Sequence, residues 1–368
     1  MMDQARFDAI RLARSPRIGP VTFRQLIHRF GGPTEALRAL PDLARRGGSG
    51  GPAPIADERS VAEEVAGMDA LGAGYLVRGD PDYPPLLAEI EDAPPVLGFR
   101  GDPSLAVRSC VAVVGARNAS AAACRFARGL ARDLAGRGVA VVSGLARGID
   151  TAAHLGALGD GDAAGPTIGV IASGIDIAYP PQNAALQEKV AQHGLLIAEQ
   201  PPGTEPRARN FPHRNRIIAG LSQATVIVEA APQSGSLITA RLAGQYGREV
   251  LAVPGSPLDP RAQGCNLLIR DGATLIQNAD DVIEAISHID PRGRRAGHTL
   301  FDSVEEVERV QEDSGPADLV GLLGPVPVPV DELIRQSGVV PSGVHLALLE
   351  LELAGRLVRH AGGRVSLL

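Results

Sequence analysis

Lysine is nearly absent from this chain: Lys189 is the only one among 36 basic residues. That excludes a P-loop, because GxxxxGK[ST] needs a lysine that reaches the terminal phosphates, and Lys189 stands in "QEKVAQ". Tryptophan is missing and aromatics amount to 3%, which rules out a long stacking platform. Cys110, Cys124 and Cys265 are odd in number and lack CxxC spacing. They exclude a disulfide framework or a zinc site and suit a reducing cytoplasm. No apolar run reaches the ~18 residues a membrane helix needs. Charges run through "MMDQARFDAIRLAR", so no signal peptide is expected and the expected location is cytoplasmic. A net charge of −6 excludes a globally basic nucleic-acid coat, so any site for a polyanion must be local.

What is present is an ordinary globular composition, 44% hydrophobic and 21% charged over 368 residues, enough for two or three domains. Apolar residues recur every three or four positions in "ARFDAIRLAR" and "VTFRQLIHRFGG", which predicts helices over 3–45. A break, "RRGGSGGPAP", leads to another helix expected from Ser60 to Leu71, and residues 77–107 are rich in proline and turn residues. From Cys110 the pattern changes. Short apolar runs predict strands at 110–115, 139–144, 167–174, 195–199, 224–230, 249–255 and 273–277, with helices between them. Strands without polar alternation are buried on both faces, so the fold class is α/β: a mainly parallel sheet with helices on both sides. The polar stretch 288–318 reads as a linker. The last fifty residues read as helix, turn, helix and a hairpin around Gly362-Gly363, a winged-helix order.

In an open parallel sheet, ligands sit beyond the C-terminal strand ends. Here those ends read "GARNAS" (115–120), "SGLARGID" (143–150), "SGID" (173–176), "SGS" (234–236) and "PGS" (254–256). Backbone N–H groups and hydroxyls in such turns make anion-binding concavities, so five of them on one edge point to a phosphate-lined crevice. The first turn lacks GxGxxG and the second strand ends without an acid, which argues against a dinucleotide. No metal site or cofactor is expected. Between the fourth and fifth strands lies "RARNFPHRNRIIAG", with Pro212 placed as a first helical residue. Arg207, Arg209, Arg214 and Arg216 crowd a helix start, where cations are unfavourable unless an anion is bound. Phe211 offers a ring for a base. The competing reading pairs Arg214 and Arg216 with acids such as Glu199 or Glu229 and packs Phe211 in the core. Asp150 and His154 stand four residues apart, but helix capping and local packing account for them better than a metal or acid–base pair. Asp176 and Asn183 read as turn formers.

The segments "VAVVGARNAS", "VVSGLARGIDTAAHLGAL", "IGVIASGIDIAYPPQN", "FPHRNRIIAGLS", "VIVEAAPQSGSLITARLAGQYGREVLAVPG" and "GCNLLIRDGA" together resemble the DprA/Smf family of bacterial DNA-processing proteins, in order, over about 77–278. The resemblance implies a Rossmann-like domain that binds single-stranded DNA in a basic pocket, forms a homodimer and loads the RecA recombinase during natural transformation. It implies no catalysis. By motif it carries DNA contact onto Arg117, Phe211, Arg214 and Asn215. Charge and loop chemistry extend the expected site to Gly115, Ser120, Ser143, Gly144, Ser173, Gly174, Arg207, Arg209, Arg216, Ser234, Gly235 and Ser236. "RIGPVTFRQLIHRFGG" resembles a helix-hairpin-helix or SAM-like segment, although Pro20 lacks the N–H a phosphate-gripping hairpin uses. The expected division is a helical domain over 1–75, a Rossmann-like domain over 76–290 with a lead-in at 76–107, a linker over 291–318 and a winged-helix-like domain over 319–368. Glu350, Glu352 and leucines on the last helix favour a protein contact there over major-groove reading. The rival function is a phosphoribohydrolase, an enzyme class that the central domain also resembles. "SGSLITA" lacks the glutamate such an enzyme needs beside its phosphate loop. If four phosphates are neutralised, log affinity falls against log salt with a slope of roughly −3, about −0.7 per contact.

Overall fold

The computed structural model describes residues 3–48, 51, 55–159, 165–289, 319–360 and 362–368. The chain forms two compact units, one over residues 63–295 and one made of 1–62 with 296–368. Most of the expected linker lies outside the described residues.

The N-terminal periodicity becomes three helices, α1 Gln4–Arg14, α2 Pro20–Phe30 and α3 Pro33–Arg46. Asp3 caps α1 by accepting from the Arg6 N–H, and Pro20 and Pro33 open their helices, where a missing N–H costs nothing. The helix expected from Ser60 is α4, Glu58–Ala70. Strand β1, Gly74–Val77, precedes the proline-rich lead-in, which itself holds a short α5, Pro85–Glu89, and the strand β2, Val96–Gly101. Gly98 and Gly101 and the flanking prolines masked β2, since both residue types are depleted in strands.

All seven strands read from the sequence are present, several of them shorter than expected. They are β3 Cys110–Gly115, β4 Ala140–Ser143, β5 Thr167–Ile171, β6 Leu195–Ala198, β7 Ala224–Val228, β8 Glu249–Ala252 and β9 Thr274–Leu275. Helices alternate with them: α6 Ala121–Gly136, α7 Ile149–Leu158, α8 Ala184–His193, α9 Asn210–Leu221, α10 Ser236–Gln245, α11 Gln263–Arg270 and α12 Ala279–Ile286. The sheet order is β1-β2-β6-β5-β4-β3-β7-β8-β9, parallel from β6 to β9, with β2 antiparallel to β6 and β1 antiparallel to β2. The absence of polar alternation has its cause in two separate cores. Val111 and Val113 enter one with Leu130, Leu134 and Ile149; Cys110, Ala112 and Val114 enter the other with Ile217, Ile218 and Leu221. The chain winds outward from β3 through β6, then returns across β3 to β7. This doubly wound reversal places a crevice at the C-terminal strand ends.

In the other unit, β10 Val328–Pro329, α13 Val330–Ser337, α14 Pro341–Leu353, β11 Leu357–His360 and β12 Arg364–Leu367 complete a winged helix, with β12 central in its three-stranded sheet. Its core holds Leu333, Val344, Leu348, Leu351 and Val365. The C-terminal half of α14 is buried, and its acids face the N-terminal helices of the same unit. Arg46 Nε lies 3.1 Å from the Glu350 carboxylate, whose pKa burial raises against the pull of Arg46 and Arg29. Arg17 donates to the Leu353 carbonyl at 3.0 Å, and Arg359 links Glu352 at 2.8 Å to Gln25. Glu350 and Glu352 are thus engaged by residues of the same chain.

Candidate functional site

The site is built from loops after β3, β4 and β5 and from the start of α9. Together they line a cavity of about 290 Å³ with Arg117, Gly144, Ala146, Arg147, Tyr179, Pro180, Pro181, Gln182, Phe211 and Arg214. The β4 loop is held from two sides. Asp150, in the first turn of α7, accepts from the Gly144 N–H at 3.1 Å and the Ala146 N–H at 3.3 Å. It fixes the preceding loop and does not cap the helix, whose N-cap is Gly148. Asn183 donates to the Leu145 carbonyl at 2.8 Å and to Thr151 Oγ1 at 2.9 Å. These bonds over-determine Leu145, which holds a left-handed φ of 55°, a conformation that costs of order 1–3 kcal/mol and clusters at functional sites. Asn183 is thus a brace of the loop and more than a turn former. The adjoining Tyr179–Pro180 bond is cis.

Arg214 crosses beneath this loop. A Cβ on Gly144 would overlap its guanidinium, so the close approach requires glycine. Arg214 is buried, and its Nε has no hydrogen-bond partner among the described residues. Burial lowers its pKa to about 10, with Asp150 opposing and Arg117 adding to the shift, so it stays cationic at neutral pH. Burial raises the Asp150 pKa, opposed by Arg214, the two loop N–H groups and Arg117. Arg117 and Arg147 are exposed and form no ion pair among the described residues. Arg117 Cζ lies 5.4 Å from the Phe211 ring centroid, and the Tyr179 ring lies 5.5 Å from it, tilted by 53°. Asn210 anchors the start of α9 by donating to the Ala172 carbonyl at 3.2 Å. Three guanidinium groups and two aromatic rings therefore converge on one cavity. That arrangement can hold an anionic phosphate beside a planar base.

The remaining sequence-predicted residues divide clearly. Arg216 is buried against Glu199 at 2.5 Å and the Asp92 carbonyl, so the ion-pair reading holds for it. Ser120 caps α6 through the Ala123 N–H and donates to Glu229 at 2.6 Å, while Ser143 and Ser173 donate to the Val113 and Ile177 carbonyls. Each of these hydroxyls is bonded within the fold. Gly115 packs so tightly on β7 that a Cβ would strike the Val228 carbonyl, and Gly174 sits closely against the Pro201 carbonyl and the Gly203 N–H. Ser234, Gly235 and Ser236 follow β7, on the other side of the reversal, where the two hydroxyls bond each other at 2.7 Å. Half-buried Asn215 lies on α9, and exposed Arg207 and Arg209 precede that helix. Pro212 is its third residue rather than its first, still within the turn whose N–H groups lack helical partners. Sequence reasoning missed Arg147 and Tyr179, although "SGLARGID" and "YPPQN" carried them. His154 and Asp150 do not form a metal pair: His154 Nδ1 bonds Thr167 Oγ1 at 2.8 Å. Among the described residues no cluster of three or more His, Cys, Asp and Glu could hold a metal, and no helix is long and apolar enough to cross a membrane.

A doubly wound sheet with an arginine-lined cavity at its strand ends, joined in sequence to a helical segment and a winged helix, defines a three-part class of protein. The family model for DNA recombination-mediator protein A matches residues 74–287, the DprA-like N-terminal HHH domain matches 3–67 and the DprA winged helix domain matches 307–363. Protein Smf of Synechocystis sp. is 35% identical over 319 residues, 79% of this chain and 79% of that protein. The X-ray structure of DNA processing protein A from Streptococcus pneumoniae superposes with a TM-score of 0.68 at 35% identity, covering 77% of this chain and 98% of that one. That from Helicobacter pylori, described for its single-stranded DNA binding mode, gives 0.52 at 30% identity over 58% of this chain and 95% of that one. The chain belongs to the DprA/Smf family of DNA recombination mediators.

Proposed function

We propose that the protein binds single-stranded DNA in the cavity between Arg117, Arg147 and Arg214. In this reading it acts in the cytoplasm as a homodimer, and it helps a RecA recombinase onto the strand during DNA uptake and recombination without catalysing a reaction. The observation that carries the reading is the meeting of three arginines with Tyr179 and Phe211 in one cavity of a chain whose net charge is negative. The single-stranded DNA binding mode described for the Helicobacter pylori relative supports it. Homodimer formation is supported by exposed Leu275 on β9, which has no further strand beside it among the described residues, since an unpaired sheet edge invites a partner. A phosphoribohydrolase is less well supported: Asp150, the acid whose charge Arg214 and Arg117 favour, is buried and bonded to loop N–H groups.

Binding of an oligothymidylate, followed by fluorescence anisotropy over a salt series, tests the site. Three cavity arginines give a log–log slope of roughly −2, and each of Arg207 and Arg209 that joins adds about −0.7. Arg117→Ala weakens binding at least about tenfold, the loss of one charge-assisted contact of ~1.5–3 kcal/mol, with an unchanged melting temperature. Salt-independent binding, or wild-type affinity in that variant, overturns the site. The mediator role is tested by recombinase nucleation on strands already coated with single-strand-binding protein. An unchanged lag on adding the purified protein removes that part of the reading.

A further inference from the structure

Among the described residues three side chains other than glycine hold a left-handed φ: Arg17, Leu145 and Glu229. That region is unfavourable for a glutamate and persists only where surrounding bonds over-determine it. Glu229 follows β7, on the other side of the reversal from the cavity loops, with a φ of 56° and a side chain only 10% exposed. Main chain and side chain both reach the loop after β3. The carbonyl accepts from the Ala116 N–H at 2.8 Å. One carboxylate oxygen accepts from the Ser120 N–H at 2.9 Å and the other from the Ser120 hydroxyl at 2.6 Å. Arg261 stands farther off, 3.9 Å from this carboxylate and 2.8 Å from Asp259. These bonds bracket Arg117, the only charged residue of a loop that lies between β3 and α6 and belongs to neither. Gly148 closes the loop from a third side, where a Cβ would strike the Ala116 and Arg117 carbonyls. Helix α6 has no acid in its first turn, and Glu229 supplies one from the neighbouring strand, where negative charge suits a helix N-terminus.

We propose that Glu229 is a positioning residue for Arg117: it holds a strained backbone so that its carboxylate can fix the far end of the β3 loop and aim the guanidinium. The inference rests on the reading that single-stranded DNA binds beside Arg117. Two simpler roles predict something else. An acid that only stabilises α6 would affect the fold and not the arginine. An acid acting by charge alone would oppose a polyanion, so its removal would strengthen binding.

The test is a double-mutant cycle with Arg117→Ala, read as oligothymidylate affinity by anisotropy at one salt concentration. Glu229→Gly removes the carboxylate and relieves the backbone at once, so the melting temperature is expected to stay near that of the wild type. It lowers affinity about three- to tenfold in the wild-type background. In the Arg117→Ala background it changes affinity by less than about twofold, because the residue acts through the arginine. Glu229→Asn, which tolerates this φ but is one methylene shorter, behaves like Glu229→Gly. Glu229→Gln still accepts from the Ser120 N–H and retains most of the wild-type affinity. Hydrogen exchange gives a readout without DNA: the Ser120 amide exchanges faster in Glu229→Gly, while the amides of β3 and β7 keep their wild-type rates. Unchanged or raised affinity in Glu229→Gly, or the same loss in both backgrounds, overturns the assignment. A wild type that does not bind the strand, or an Arg117→Ala variant that binds as well as the wild type, overturns the DNA-binding reading itself.

Discussion

Gly144 shapes the cavity by what it lacks. Its missing side chain is the space in which the Arg214 guanidinium lies under the β4 loop. Gly144→Ala therefore forces Arg214 or the loop aside. It is expected to reduce affinity for single-stranded DNA about tenfold or more, with the far-UV circular dichroism preserved; unchanged affinity would show that the position of Arg214 is immaterial. The sequence marked both residues as candidates, but nothing in it marked their contact, which joins positions 70 residues apart. Ser143 was also marked, for the hydroxyl that such loops often present. Its side chain instead points into the sheet and donates to the Val113 carbonyl at 2.7 Å. Side-chain direction at a strand end depends on the register with neighbouring strands, and a single strand's sequence does not carry it.

The start of α9 resolves at the scale of the element. Four arginines in ten residues looked like one charged cluster, but a helix turns about 100° per residue, so positions two apart face nearly opposite ways. Arg214 turns to the cavity, and Arg216 turns to Glu199 and the Asp92 carbonyl of the lead-in segment. The two arginines should therefore fail differently. Arg216→Met removes the ion pair with Glu199 and the bond to the Asp92 carbonyl and is expected to cost about 1–3 kcal/mol in urea unfolding, with DNA affinity of the folded protein retained. Arg214→Met should do the reverse, weakening DNA binding more than stability. Equal effects of both variants on binding would mean that the cluster acts as a unit. The alternation of strands and helices was legible because seven valine- and isoleucine-rich runs are unbroken by polar residues. Strands β1 and β2 were not, because short strands with glycine and flanking prolines look like turns until a neighbour supplies their hydrogen bonds.

For the molecule as a whole, order along the chain was legible and proximity was not. The winged helix and the N-terminal helices each announced themselves by periodicity. That Glu350 meets Arg46 across some 300 residues left no local trace. The same limit applies to His154, whose local packing was legible but whose partner Thr167 was not. It is fully buried, and because Thr167 donates its hydroxyl proton to the Val141 carbonyl at 2.8 Å, Thr167 Oγ1 must accept from His154 Nδ1–H. In the neutral ring the proton therefore sits on Nδ1. Burial pushes its pKa down to about 3, the Arg214 charge adds to the shift, and the Ser143 carbonyl opposes it. In the unfolded chain this histidine titrates near 6.5. As pH falls from 6.5 toward 3 the unfolded form takes up a proton that the folded form refuses, so stability is lost over that window by up to about 1.4 kcal/mol per pH unit. Asp150 acts in the opposite sense, because burial raises its folded pKa and the folded form protonates first on the way down to 3.8. The histidine contribution is isolated by comparing the wild type with His154→Gln in urea at pH 7.5 and pH 5.0. The wild type is expected to lose about 2 kcal/mol more than the variant across that interval. Parallel losses in the two proteins would mean that the acid sensitivity of the fold arises elsewhere.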